Sequence, residues 1–306
     1  MNHSFEHFAK SILSSSAQVM LQANPITGLL FLIGIGINSI TMLLGCLLAI
    51  LSSLVTAKLF QYDSEPINKG IYSFSAALVG ISVFTLLPLS FIAFVLVIFG
   101  GVLSTLLMHF MITKIPSMPA LTTPFILTTW IIVLIIYYAA LVIPSLENQT
   151  GSVNLESIIT PVTMSFIDSL GGAFRGVGQV MLQDNWLSGA VFFCALLFSS
   201  YKAAAWAIVA SLIGFVIAIW FGFSQERAMM GLYGFNACLV AITLTDRYPN
   251  KYCFTLFATL LSVLITRAFE EVTIPALTAP FVMTIWLIIG LDKLRSIFDK
   301  EEIEVG

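Results

Sequence analysis

Apolar residues run through this chain in long blocks, without the polar position every second residue or the polar stripe every third or fourth that would mark a half-exposed element. The runs Gly28 to Val55, Phe84 to Met111, Phe125 to Val142, Ala190 to Trp220, Phe254 to Ile265 and Phe281 to Leu291 are apolar on every face. A helix lying on a soluble core shows one apolar stripe, and a strand of a membrane barrel alternates. Runs apolar all round therefore predict helices that cross a bilayer, each needing about 20 residues. Several runs are too long for one crossing and others too short.

Composition sharpens this reading. Of 306 residues 58% are hydrophobic, 9% are charged and 25 are Phe, with a mean hydropathy of +1.00, so the expected class is an all-α polytopic membrane protein. The 13 basic and 16 acidic residues are scattered, which excludes a nucleic-acid footprint. The sequence carries no H-E-x-x-H, no G-x-S-x-G, no carboxylate cluster and no phosphate loop, so it is not read as an enzyme. Cys46, Cys194, Cys238 and Cys253 stand singly with no His at ligand spacing, and they are read as packing residues. No metal and no cofactor is expected. The start, MNHSFEHFAKSILSSSAQ, lacks the basic, apolar and small-residue pattern of a removable signal, so the spans themselves are expected to drive insertion.

Compared with itself, the chain matches three times in order. QVMLQANPITG (Gln18 to Gly28) aligns with QVMLQDNWLSG (Gln179 to Gly189) at an offset of 161, with seven of eleven positions identical. GIYSFSAALVG (Gly70 to Gly80) aligns with GLYGFNACLVA (Gly231 to Ala241) at the same offset of 161. PALTTPFILTTW (Pro119 to Trp130) aligns with PALTAPFVMTIW (Pro275 to Trp286) at an offset of 156, with eight of twelve identical. Collinear matches of this kind mean a duplicated membrane unit. The expected organisation is a first repeat over 1–144, a polar connecting loop over 145–155, a second repeat over 156–292 and a C-terminal tail over 293–306. Units with an odd number of crossings are inverted, and ligand sites in such folds lie where the copies meet.

The repeated blocks hold what a lipid-facing surface would not. The first has Gln, Asn and Gly within eleven residues and is read as a re-entrant half-helix, its end carbonyls facing a cavity. The second places Phe74 and Leu78, and Phe235 and Leu239, four apart on one helix face. The third sets a hydroxyl, Thr122 or Thr278, two residues before Pro124 or Pro280, which interrupt helix hydrogen bonding. Apolar walls with polar rungs suit a small, planar, neutral molecule. The bland readings are that the Phe side chains merely pack, the Thr hydroxyls bond a preceding carbonyl, and Gln18 and Gln179 hold helices together.

These blocks resemble the urea transporter family, which carries a repeated G-[IL]-x-Q-V start, a G-L-[YW]-G-[YF]-N motif and an L-P-x-x-T-x-P-F motif. Here the corresponding strings are GVGQVMLQDN (Gly176 to Asn185), GLYGFN (Gly231 to Asn236) and IPALTAPF (Ile274 to Phe281), each with a first-half partner. The resemblance implies a passive, channel-like carrier of urea, and of short amides as a lesser cargo. It also implies two inverted repeats of about five membrane helices, each with one re-entrant half-helix, and a homotrimer with one pore per subunit. Carried over by position, the pore glutamines are Gln18 and Gln179, with Leu21 and Leu182 three residues on. The stacking phenylalanines are Phe74 and Phe235, the slot leucines Leu78 and Leu239, and the constriction threonines Thr122 and Thr278. The chain departs from the family at Ser73 and Ser75, where Gly and Asn are usual, at Leu21, where an aromatic is common, and at Trp186, where Pro is usual.

Charged residues inside the apolar regions would suggest ion coupling, and a proton- or sodium-coupled carrier using Glu270, Glu271 or Asp168 is the alternative. A non-conducting membrane subunit is a third. Arg267 and Glu271, four apart, are expected to pair on one helix face, with Glu270 beside them. Asp168 and Arg175 are expected at the membrane interface, and His109 is read as a snorkelling or capping residue. Lys293, Arg295 and Lys300 after the last run favour a cytoplasmic C-terminus, in a bacterial inner membrane.

Overall fold

The computed structural model describes residues 2–142, 166–272 and 274–305. The expected connecting loop at 145–155 lies outside the described residues. Among them the regular structure is all helical. The first half holds α1 (Asn2–Gln18), α2 (Pro25–Asn38), α3 (Ile40–Leu59), α4 (Ser64–Asn68), α5 (Phe74–Leu86), α6 (Phe91–Lys114) and α7 (Thr123–Val142). The second holds α8 (Phe166–Gln179), α9 (Trp186–Ser199), α10 (Tyr201–Trp220), α11 (Gln225–Met229), α12 (Phe235–Arg247), α13 (Tyr252–Glu271) and α14 (Ala279–Val305). The two sets run in the same order, with helix starts displaced by 161 positions from α2/α9 to α6/α13 and by 156 at α7/α14.

Local chemistry divides the overlong apolar runs. Ser39 and Ser200 are extended (φ −156° at both) and each ends one helix while its hydroxyl accepts the Met42 or Ala203 N–H of the next. In Phe84 to Met111 the break falls at Pro88, with Leu87 before it extended and the Ser90 hydroxyl accepting the Ala93 N–H to start α6. Four helices, α3, α6, α10 and α13, are each long and apolar enough to cross a membrane. Their outward faces expose Val55, Phe91, Trp220 and Leu264, as lipid contact requires.

The halves meet along α2 and α9. Phe31 and Phe192, equivalent residues, touch edge to face with ring centroids 5.2 Å apart, and the Thr27 hydroxyl donates to the Ala195 carbonyl at 3.1 Å. The Trp130 indole donates to the Pro275 carbonyl and the Trp286 indole to the Pro119 carbonyl, both at 2.9 Å. Reciprocal contacts between equivalent positions are what a two-fold relation generates. Within each half the helices approach closely: a methyl on Gly28 would overlap the Leu13 carbonyl, and one on Gly189 the Phe174 carbonyl. Only glycine lets α1–α2 and α8–α9 close into hairpins there.

Two expectations are corrected here. The blocks Gln18–Gly28 and Gln179–Gly189 are not half-helices: each is a helix end, a left-handed turn, an Asn cap and the start of the next helix. Their polarity is the chemistry of a corner. Among the apolar helices, α2 and α9 (14 residues each) and α5 and α12 (13 each) are about 20 Å long against a hydrocarbon core of about 30 Å. Pro124 and Pro280, read as interruptions, stand in the first turns of α7 and α14, where the missing N–H has no partner to lose.

Candidate functional site

Among the described residues six that are not glycine have positive φ, and four of them are leucines in equivalent pairs: Leu21 (60°) and Leu182 (58°), Leu121 (47°) and Leu277 (46°). A left-handed L-residue costs roughly 1–2 kcal/mol. At the end of α1 the Gln22 N–H bonds the Ala17 carbonyl and the Leu21 N–H bonds that of Gln18. Gln183 and Leu182 repeat this on Gly178 and Gln179. This is the helix-ending motif whose left-handed position normally takes glycine. Leucine there gains a side chain that glycine would forgo, and Leu182 uses it to wall a cavity.

That cavity, of about 580 Å³, also takes in Gln179, Phe235, Leu277, Thr266, Tyr233 and Glu270. It brings together three of the residues expected from sequence: Gln179, Leu182 and Phe235. Thr278 follows the lining residue Leu277, and its hydroxyl donates to that of Thr122 at 2.7 Å, with both threonines 2% exposed. One hydrogen bond thus joins equivalent residues of the two halves. Leu78 and Leu239 are fully buried, and Phe74 is buried like Phe235. Gln18 and Leu21 are half-buried. These five and the two threonines are not part of that cavity's lining.

Asn236 is buried and does three things at once. Its amide nitrogen donates to the Leu277 carbonyl at 3.1 Å and lies 3.5 Å from the Thr266 hydroxyl, while its oxygen accepts the Phe281 N–H at 3.2 Å. It therefore holds the left-handed turn before Thr278 and caps α14. The first half has Ser75 there, whose hydroxyl is buried with no hydrogen-bond partner among the described residues. A serine is too short to make the equivalent reach. Gln22 and Gln183 were also overlooked: their side-chain amides donate to the Met20 and Met181 carbonyls at 2.8 and 2.5 Å, bracing the corner. The exact repetition of QVMLQ was the available signal, as the repeated final Trp of the third block was for the indole pair.

At the cavity's wall one tyrosine and two arginines converge on one carboxylate. Tyr233 Oη donates to Glu270 Oε2 at 2.7 Å, Arg267 reaches the same oxygen at 2.6 Å, and Arg227 Nε reaches Oε1 at 2.9 Å. Burial, and then the hydrogen bond to Glu270, push the Tyr233 phenol well above its ordinary range. Arg267 also pairs with Glu271, as its spacing suggested. In the first half the counterpart of Glu270 is His109, which does not snorkel: it stacks on Tyr62 (3.7 Å, 5°) and lies 3.3 Å from the Tyr72 hydroxyl. Arg175 donates to the Met229 carbonyl at 3.1 Å. The Asp168 side chain lies outside the described residues.

Similarity to known proteins agrees with the motifs. Urea transporter 1 of Mus musculus is 30% identical over 261 residues, covering 78% of this chain and 62% of its own length. The chain thus spans less than two thirds of that relative. Urea transporter 1 of Ovis aries is 27% identical and that of Rattus norvegicus 28%, each over 316 residues, with 93% of this chain and 77% of the relative covered. The family described as "UT: Urea transporter", a transport family rather than an enzymatic one, matches residues 9–293. A multi-pass membrane chain built on twice-repeated corners, matched over nearly its whole length, belongs to the urea transporter family.

Proposed function

We propose that the protein carries urea passively, down its gradient, through a pore where the two halves meet. The repeats are read as inverted across the membrane, with α5 and α12 as the half-length helices. The subunits are read as a homotrimer in a bacterial inner membrane, each with its own pore. The observation that carries the pore reading is the Thr122–Thr278 hydrogen bond. It sets two neutral hydroxyls from equivalent positions face to face, each next to a left-handed leucine.

Urea is planar and neutral, with one strong acceptor and four N–H donors in its plane. In this reading Phe74 and Phe235 flank its faces, Leu21, Leu78, Leu182 and Leu239 narrow the passage, and Gln18 and Gln179 meet it at either end. At the constriction the threonines give up their mutual bond and each takes one to urea. The exchange is close to neutral, because a net hydrogen bond contributes only about 0.5–1.5 kcal/mol. At the constriction itself an ion meets neither a counter-charge nor enough oxygens to replace its water, and desolvation costs it at least several kcal/mol. Short amides share the planar amide edge and would follow more slowly.

Purified protein in liposomes tests this. Urea should equilibrate with no dependence on sodium, a pH gradient or voltage. Flux that required any of these would replace the reading with a coupled carrier, and well-folded protein without urea or amide flux would make it a non-conducting subunit.

A further inference from the structure

The cavity wall formed by Arg227, Tyr233 and Glu270 is charged, and the first half does not reproduce it. The residues 161 positions earlier are Pro66, Tyr72 and His109, and the His109 ring lies flat on Tyr62. The Glu270 side chain is only 14% exposed, with Tyr233 and Arg267 on one oxygen and Arg227 on the other. A carboxylate has about four acceptor sites; both hydrogen bonds are to Oε2, so Oε1 keeps acceptor capacity. Arg227 pairs with that oxygen through charge, its Nε 2.9 Å away, and its side chain is 48% exposed at the cavity wall. The guanidinium fork has about five N–H donors in all, which at the cavity wall can meet whatever enters.

A donor fork beside a spare carboxylate lone pair is complementary to one edge of a urea molecule. Resting on the transport reading above, we propose that Arg227 and Glu270 form a vestibule subsite for urea, present on the second-half side of the pore only. The Arg227 N–H groups donate to the urea carbonyl oxygen, and Glu270 Oε1 accepts one urea N–H. Charge-assisted bonds are stronger than the neutral ones inside, so this subsite is a shallow well placed outside the constriction. A well outside the main barrier sets the concentration at which flux saturates, and leaves trace permeability to the barrier itself. The two faces of the pore should therefore saturate at different urea concentrations.

The test is urea flux against concentration in vesicles of both orientations, with unmodified protein, Arg227→Met and Arg227→Lys. Arg227 is half-exposed, so these variants are expected to fold, and thermal unfolding in detergent checks it. Unmodified protein should reach half-saturation at lower urea from the second-half face. Arg227→Met should raise that value about five- to tenfold while trace permeability moves less than about twofold. Arg227→Lys, which keeps the charge without the fork, should fall between. Equal half-saturation at the two faces of the unmodified protein would overturn the proposal. So would Arg227→Met without a shift, or a parallel loss of trace permeability and thermal stability, which marks a structural brace. Unmodified protein that passes no urea at all would instead overturn the transport reading, and this proposal with it.

Discussion

Replacing Thr278 by Val keeps the volume and deletes one hydroxyl of the buried Thr122–Thr278 pair. The Thr122 oxygen then loses the donor it accepts from, and a buried polar group left unpaired costs about 1–3 kcal/mol. Replacing both threonines removes the orphan together with its partner, so the double variant should recover most of that stability. Transport should not follow the same pattern. In the proposed passage each hydroxyl is a rung that offsets part of urea's dehydration, and losing a bond of about 0.5–1.5 kcal/mol would raise the barrier enough to slow flux roughly two- to tenfold. The single variants should thus be less stable and several-fold slower, while the double variant regains stability and is slower still. Thermal unfolding in detergent and stopped-flow urea efflux from liposomes read the two quantities separately. A double variant that is stable and transports urea at the unmodified rate would falsify the idea that these hydroxyls serve the permeant.

Phe74 is buried at 5% exposure, so Phe74→Ala should cost about 3–5 kcal/mol and widen the slot; Phe74→Leu keeps more of the volume. Both should raise acetamide flux relative to urea, and an unchanged ratio in a folded variant would count against stacking. Asn236→Ser should lower stability by about 1–3 kcal/mol, since the bonds to the Leu277 carbonyl and the Phe281 N–H are lost; an unchanged melting temperature would mean the turn before Thr278 holds itself. Trp130→Phe removes the indole bond to the Pro275 carbonyl and should cost about 1 kcal/mol or more. Trp286→Phe should match it within about a factor of two, and very different melting shifts would refute the equivalence of the two contacts.

The duplication was legible in sequence because polar residues cannot be scattered cheaply through membrane helices. QVMLQ, PALT and the two Trp positions stand out against an apolar background, and their offsets of 161 and 156 are the offsets of the helices themselves. What those polar residues do locally was less legible. A run of Gln, Asn and Gly is equally a pore wall or a helix corner, and composition does not separate them. The coordinates do: Gln22 and Gln183 brace carbonyls of their own turn, and Asn24 and Asn185 cap α2 and α9. The breaks at Ser39 and Ser200 were hidden for the opposite reason, since one small hydroxyl inside a long apolar run leaves the mean hydropathy almost untouched. Backbone strain was hidden altogether, because Leu is a good helix former whose letter carries no sign of a left-handed conformation.

The unequal supports of the two left-handed turns bear on how the two halves are held together. Leu277 and Leu121 adopt the same strained conformation, yet Leu277 is tied by Asn236 while the equivalent serine has an unpartnered hydroxyl. A conformation that costs roughly 1–2 kcal/mol persists only where its surroundings hold it. In the first half the holding contacts are those to the other half: Thr278 donating to Thr122, and the Trp286 indole donating to the Pro119 carbonyl two residues before Leu121. The second half is braced from within, and the first leans on it. Loosening the interface should therefore disturb the turn at Leu121 before the turn at Leu277. Trp286→Phe, which removes a bond to the first half, should then increase hydrogen exchange at the Thr123 amide more than Trp130→Phe increases it at the Ala279 amide. Equal protection at the two amides across both variants would show that Asn236 adds nothing the interface does not already supply.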